Sequence, residues 1–116
     1  MSSRTYRPDR WVVIKITNAE GKFHHRVFGS WFGGYTDGNS WKMNSGIVSV
    51  TDKDDEYLFH GTSGSTYSCI KETYGTHMYG EGVLRSYIEE APTKGASIEV
   101  LPMDADYLNI VWSNNA

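Results

Sequence analysis

Four histidines and one cysteine are the side chains best suited to hold a metal or activate a nucleophile: His24, His25, His60, His77 and Cys69. Structural zinc sites need paired ligands at short spacing, such as C-x2-C or H-x3-H, and no such pair occurs. Neighbouring residues of a strand project to opposite faces, so His24 and His25 cannot share one ion from a regular strand. The acidic run Asp52-Lys53-Asp54-Asp55-Glu56 superficially resembles a calcium loop. Such a loop requires glycine at its sixth position and glutamate at its twelfth, where this chain has Tyr57 and Ser63. His60-Gly61-Thr62 fits the His-x-Thr element of two-histidine phosphoesterases, but those enzymes use two copies. None of His24, His25 and His77 has Ser or Thr two residues on. Cys69 would need an adjacent base to become a nucleophile. The strand phasing given below places it on the face opposite His60, as a small core residue. No catalytic residue, metal site or cofactor is expected, and a hydrolase using His60 with help from His77 ranks last.

Two segments have binding chemistry. Gly61-Thr62-Ser63-Gly64-Ser65 can offer backbone N–H groups and three hydroxyls to an anion, with His60 balancing charge. The same loop also makes sense as a plain polar hairpin turn. A P-loop is excluded, because Gly21-Lys22-Phe23 lacks the required Ser or Thr. The more unusual stretch is Gly29 to Gly46, GSWFGGYTDGNSWKMNSG, which sets Trp31, Phe32, Tyr35 and Trp41 among five glycines, with Lys42 and Asn44 beside them. Aromatic rings supply large contact area at low entropy cost, which suits recognition. Equally, the Trp side chains can close the open end of a small sheet. The candidate binding set is therefore Trp31, Tyr35, Trp41, Lys42 and Asn44, with His60, Thr62, Ser63, Gly64 and Ser65 as the alternative anion site.

These residues must be positioned by short strands. Val12, Ile14 and Ile16 alternate along a first strand, and Asn18-Ala19-Glu20-Gly21 turns it into a return strand from Lys22 to Phe32. Pairing Thr17 with Lys22 gathers Phe23 and Val27 on the face of the first strand's aliphatics; slipping by one brings His24 and Arg26 there instead. The first register is expected. Trp41 to Val50 reads as one strand with a bulge at Ser45-Gly46. Glu56 to His60 and Thr66 to Ile70 follow. With Thr51 opposite Glu56 and His60 opposite Thr66, one face collects Val48, Val50, Tyr57, Phe59, Tyr67 and Cys69. The segment Lys71 to Gly82, with two Tyr-Gly pairs, reads as irregular. From Val83 to Ala91 the period changes, and Leu84, Tyr87, Ile88 and Ala91 form one stripe of an amphipathic helix ended by Pro92 and Gly95. Ser97 to Leu101 and Tyr107 to Trp112 read as closing strands. The fold class is α+β: an antiparallel, β-rich single domain of about six or seven short strands with one helix packed on the sheet. Residues 1–9 are assigned to a flexible N-terminal arm and 10–116 to the globular domain.

Composition limits the partners. The chain has 116 residues, 39% apolar and 22% charged, which is one domain able to fold without staples. Eleven Lys and Arg against fourteen Asp and Glu leave a net charge of -3, so general nucleic-acid binding is not expected. The longest apolar run, about four residues, is far short of a membrane span. The stretch MSSRTYRPDR has no apolar core for a signal peptide, and a lone cysteine fits a reducing compartment. A cytoplasmic location is expected.

The segments RVFGSWFGGYTDGNSWKMNSGIVSV, YLFHGTSGSTYSC and YGEGVL resemble those of small uncharacterised accessory proteins of tailed phages, especially phages of marine cyanobacteria. The likeness covers roughly Arg10 to Trp112. It implies an accessory product acting in a bacterial host cell and carries over no functional residue. The leading expectation is a non-enzymatic binding module for a host macromolecule or a second copy of itself. The alternative is a binder that sequesters an anionic small molecule such as a nucleotide.

Overall fold

The structure, a computed structural model, describes residues 4–34 and 38–114. Two four-stranded sheets and one helix form three layers. The first sheet runs in the order β4 (Gly38–Met43), β3 (Phe23–Gly34), β2 (Arg10–Thr17), β8 (Ser97–Val100). The second runs β1 (Thr5–Tyr6), β7 (Thr66–Ile70), β6 (Glu56–Gly61), β5 (Ile47–Asp52). Every pairing is antiparallel except β1 with β7. Helix α1 (Met78–Glu90) covers the outer face of the first sheet. The α+β class is thus as expected, and no helix among the described residues is long and apolar enough to cross a membrane.

Strand β2 explains the layering. Trp11, Val12, Val13 and Ile14 are all buried, because alternate residues serve two cores. Val12 and Ile14 meet Phe28 and Leu84 under α1. Trp11 and Val13 meet Val27, Phe59, Tyr67 and Cys69 between the sheets. This two-sided burial overturns the expected β2–β3 register. Thr17 pairs with Phe23, not Lys22, so Ile16 faces His24, Ile14 faces Arg26 and Val12 faces Phe28. The face rule assumes one buried face; with two, the register that places Phe28 under the helix prevails. Lys22 instead closes the loop, its carbonyl accepting the Asn18 N–H at 2.8 Å. Gly21 takes the left-handed conformation (φ +82°) that the turn demands.

The expected single strand from Trp41 to Val50 is two strands in different sheets. The chain leaves β4 at Met43 and enters β5 at Ile47, so Asn44, Ser45 and Gly46 form a corner. A break in alternation beside glycine marks a bulge or a change of sheet equally well, and here it marks the change. In the second sheet, Tyr57 faces Cys69, Phe59 faces Tyr67 and His60 faces Thr66, as expected. Strand β5 sits one place further round its turn on each arm, with Asp52 opposite Tyr57 and Thr51 opposite Leu58. The faces survive this slip because it totals two residues. The register shift between Ile47 and Ser49 corrects one residue: Ile47 is buried, whereas Val48, expected in the core, is 54% exposed.

Three further expectations change. Helix α1 starts at Met78, five residues before Val83, within the segment read as irregular. Gly80 and Gly82 hid its start, because glycine is a poor helix former. A Cβ on Gly80 would lie 3.1 Å from both Cβ and Oγ of Ser30, so glycine lets the helix close on β3. At the other end, Ala91–Lys94 continue as a 3₁₀ turn, and Gly95 (φ +75°) caps it. Leu84 and Ala91 are buried and Ile88 packs on the same core, while Tyr87 lies at the edge of the stripe, 37% exposed. The segment Tyr107 to Trp112 forms no strand. It begins with a 3₁₀ turn, Tyr107–Asn109, that plugs the core with Tyr107. Finally, residues 5–9 are tied to the sheets and not free as an arm: β1 pairs with β7, and the Asp9 N–H donates to Ser30 O at 2.9 Å.

Candidate functional site

The nucleophile and base candidates are committed to structure. Cys69 is fully buried opposite Tyr57, and burial pushes its thiol pKa well above the usual range. His60 projects from the opposite face of β6. Its Nε2 lies 2.9 Å from Thr51 Oγ1 and its Nδ1 lies 3.3 Å from Thr66 Oγ1, so both ring nitrogens have hydroxyl partners. His24 accepts a hydrogen bond from Arg26 Nε at 3.0 Å. Burial first, then the Arg26 charge, lowers its pKa. His25 is buried and its Nδ1–H donates to Trp112 O at 2.8 Å; desolvation lowers its pKa, partly offset by that bond. His77 stacks on Phe32 at 4.8 Å between centroids. Among the described residues no three His, Cys, Asp or Glu side chains gather where a metal could bind.

The aromatic set does not form one surface. Ser30 pairs with Trp41 and Gly29 with Lys42, so alternation sends Trp41 to the helix side and Lys42 to the other. Trp41 stacks on Phe28 at 5.6 Å and 12°, with Tyr87 edge-on at 5.5 Å. Trp31 packs against the inter-sheet core, its Nε1–H donating to Arg7 O at 3.0 Å. Both tryptophans are half-buried, each packed against a different core. Tyr35 lies outside the described residues.

Lys42 and Asn44 belong to another constellation, at the corner between the sheets. Lys42 is exposed, and its Nζ sits 5.1 Å from the centroid of the Tyr6 ring. Asn44 is only 4% exposed and prolongs the β3 ladder beyond the end of β4: its N–H donates to Val27 O at 3.2 Å and its Oδ1 accepts from Val27 N–H at 2.9 Å. That acceptor bond fixes the amide's orientation and turns Nδ2 toward Gly61, where a Cβ would come within 3.3 Å of it. Nδ2 is buried and has no hydrogen-bond partner among the described residues. An unmet buried donor costs about 1–3 kcal/mol.

The loop from Gly61 to Ser65 lies across the corner. The Thr62 N–H donates to Gly46 O at 2.9 Å, the Ser63 N–H to Ser45 Oγ at 3.1 Å and the Gly64 N–H to Gly61 O at 3.1 Å. Thr62 Oγ1 is bound to Ser45 Oγ at 2.7 Å. These bonds pin the loop to the corner and engage three of its N–H groups, while His60 lies on the far side of the sheet. What the fold does bring together is a cleft of about 430 Å³ lined by Arg26, Lys42, Asn44, Ser45, Ser63 and Ser65, with Tyr6, Met43 and Tyr67 completing the wall. Two cationic residues and three serines line it, and among the described residues no carboxylate does. Ser45 was missed from sequence because only the change of sheet places it here; Arg26, opposite Ile14 on the helix side, lines the cleft from just beyond the end of β4.

A larger cleft of about 530 Å³ separates α1 from β2 and β8. Val12, Leu84, Ile88 and Val100 give it an apolar floor, and it contains none of the candidate binding residues.

No family model matches this chain, nor does any curated protein or solved structure.

Proposed function

We propose that this chain is a non-enzymatic binding protein that takes up an anionic small molecule in the cleft at the β4–β5 corner. The observation that carries this reading is a cleft lined by Lys42, Arg26 and three serines, with no carboxylate among its described lining residues. Residues of both candidate binding stretches meet there, Lys42 and Asn44 from the recognition stretch and Ser63 and Ser65 from the alternative anion loop. The non-enzymatic part rests on His60 and Cys69, which are held apart on opposite faces and engaged elsewhere. Such a binder, working in a cytoplasm, suits the phage accessory resemblance.

The test is thermal denaturation with mono-, di- and cyclic nucleotides and inorganic anions at constant ionic strength. A ligand at about 100 times its Kd stabilises by about 2.7 kcal/mol. Stabilisation that Lys42→Ala removes is the expected result, and no shift with any anion refutes the reading. A second reading, engagement of a protein partner or another copy, draws on the helix side, where Met78 is 81% and Tyr79 39% exposed. Light scattering across a concentration series checks self-association through that face, and Met78→Ser is expected to abolish it.

A further inference from the structure

We infer that the anion held at the corner is a phosphoryl group, carried as a phosphate monoester of a small molecule, with Asn44 selecting it from beneath. The inference rests on the anion-binding reading and goes further by naming the group. Donor-bearing residues line the cleft from several directions: Lys42 and Arg26 from the first sheet, Ser45 from the corner, Ser63 and Ser65 from the opposite loop. A planar carboxylate has two oxygens and one charge and uses only part of such a set. A phosphoryl dianion has three terminal oxygens, each able to accept more than one hydrogen bond, and a charge matched by two cations.

Asn44 supplies the independent observation. It lines the cleft, is more than nine-tenths buried, and has an Nδ2 donor without a partner. Its Oδ1 is fixed on the Val27 N–H, so flipping the amide to relieve Nδ2 would sacrifice that bond. Nδ2 is turned toward Gly61 at the edge of the cleft, so an oxygen-rich anion seated over the corner meets this donor through a water held between them. The cleft, at about 430 Å³, is within the size range of small-molecule sites and has room for the group that carries the phosphate.

The experiment is an amide-resolved NMR titration of the full chain with inorganic phosphate, glycerol phosphate and acetate, each at fixed ionic strength. Both phosphates are expected to move the backbone signals of Ser45, Ser63 and Ser65 and the side-chain amide signal of Asn44, while acetate at equal concentration does not. Lys42→Ala should weaken phosphate binding about tenfold, and Asn44→Asp, which keeps the Val27 acceptor but removes the donor, should weaken it further. Should Asn44→Asp not fold, Lys42→Ala decides alone, and unchanged phosphate affinity in it overturns the assignment. If acetate and phosphate move the same signals equally, the phosphoryl assignment falls and the anion reading stands. If no anion moves the corner signals, both fall.

Discussion

Two glycines of helix α1, separated by a single residue, should respond to alanine with opposite signs. Gly82 is exposed, with nothing within 4 Å of an added Cβ. Gly82→Ala therefore gains helix propensity alone, about 0.5–1 kcal/mol. At Gly80 the same gain meets Ser30, whose Cβ and Oγ would both lie 3.1 Å from the new methyl group. Ser30 is 2% exposed on a central strand, and its Cβ moves only with the β3 backbone. Overpacking of this kind costs about 1–3 kcal/mol, which outweighs the propensity gain. The two variants should thus differ by about 1–3 kcal/mol, read as urea midpoints moving in opposite directions at unchanged m. Removing the obstructing side chain in Gly80→Ala/Ser30→Gly should recover much of the loss, a coupling that a double-mutant cycle isolates. If Gly80→Ala stabilises as much as Gly82→Ala, the helix does not press on β3, and the layering under Phe28 and Leu84 is wrong.

Acid should destabilise the fold through His25. Burial holds its pKa below the ordinary 6.5, so the unfolded chain takes up the proton first; stability is full above pH 6.5 and declines below it, through the lowered folded value. Urea midpoints at pH 7.5 and 5 in wild type and His25→Gln check this, and an equally large acid loss in the variant rejects it. Cys69, buried with a raised thiol pKa, should react with a thiol reagent only as fast as the protein opens, and prompt labelling of native protein contradicts its placement. At the start of β5, Ile47→Ala should cost about 2–5 kcal/mol and Val48→Thr less than about 0.5 kcal/mol. The reverse ranking would put Val48 inside.

Local chemistry made much of the second sheet legible. The β6–β7 register followed from alternation, because that hairpin has a core face and a mostly polar one, and Phe59, Tyr67 and Cys69 had only one side to hide on. The first sheet defeated the same rule. Buried on both faces, β2 displays four consecutive apolar residues, and nothing in that run reveals which partner register places Phe28 beneath a helix. The helix start was concealed for a related reason: Gly80 is selected by Ser30, a neighbour fifty residues earlier in the chain. The candidate site divided in the same way. Lys42, Asn44, Ser63 and Ser65 were recognisable by type, but assigning them to one cleft required the change of sheet at Asn44–Gly46. Trp31 and Trp41 drew attention as rings beside glycines, a pattern that sheet ends and recognition surfaces share.

The corner has a mechanical consequence. Only Asn44, Ser45 and Gly46 separate Met43 from Ile47, so the layers are hinged on a tether too short to permit much sliding. Asn44 is pinned to Val27, Ser45 is tied to Thr62 and Ser63, and Gly46, at φ +144°, accepts the Thr62 N–H, so the joint is held at each of its three residues. Anything wedged beside that joint acts as a chock against shear. Its effect should spread along β5, β6 and β7 as slower amide exchange, well beyond the few residues it touches.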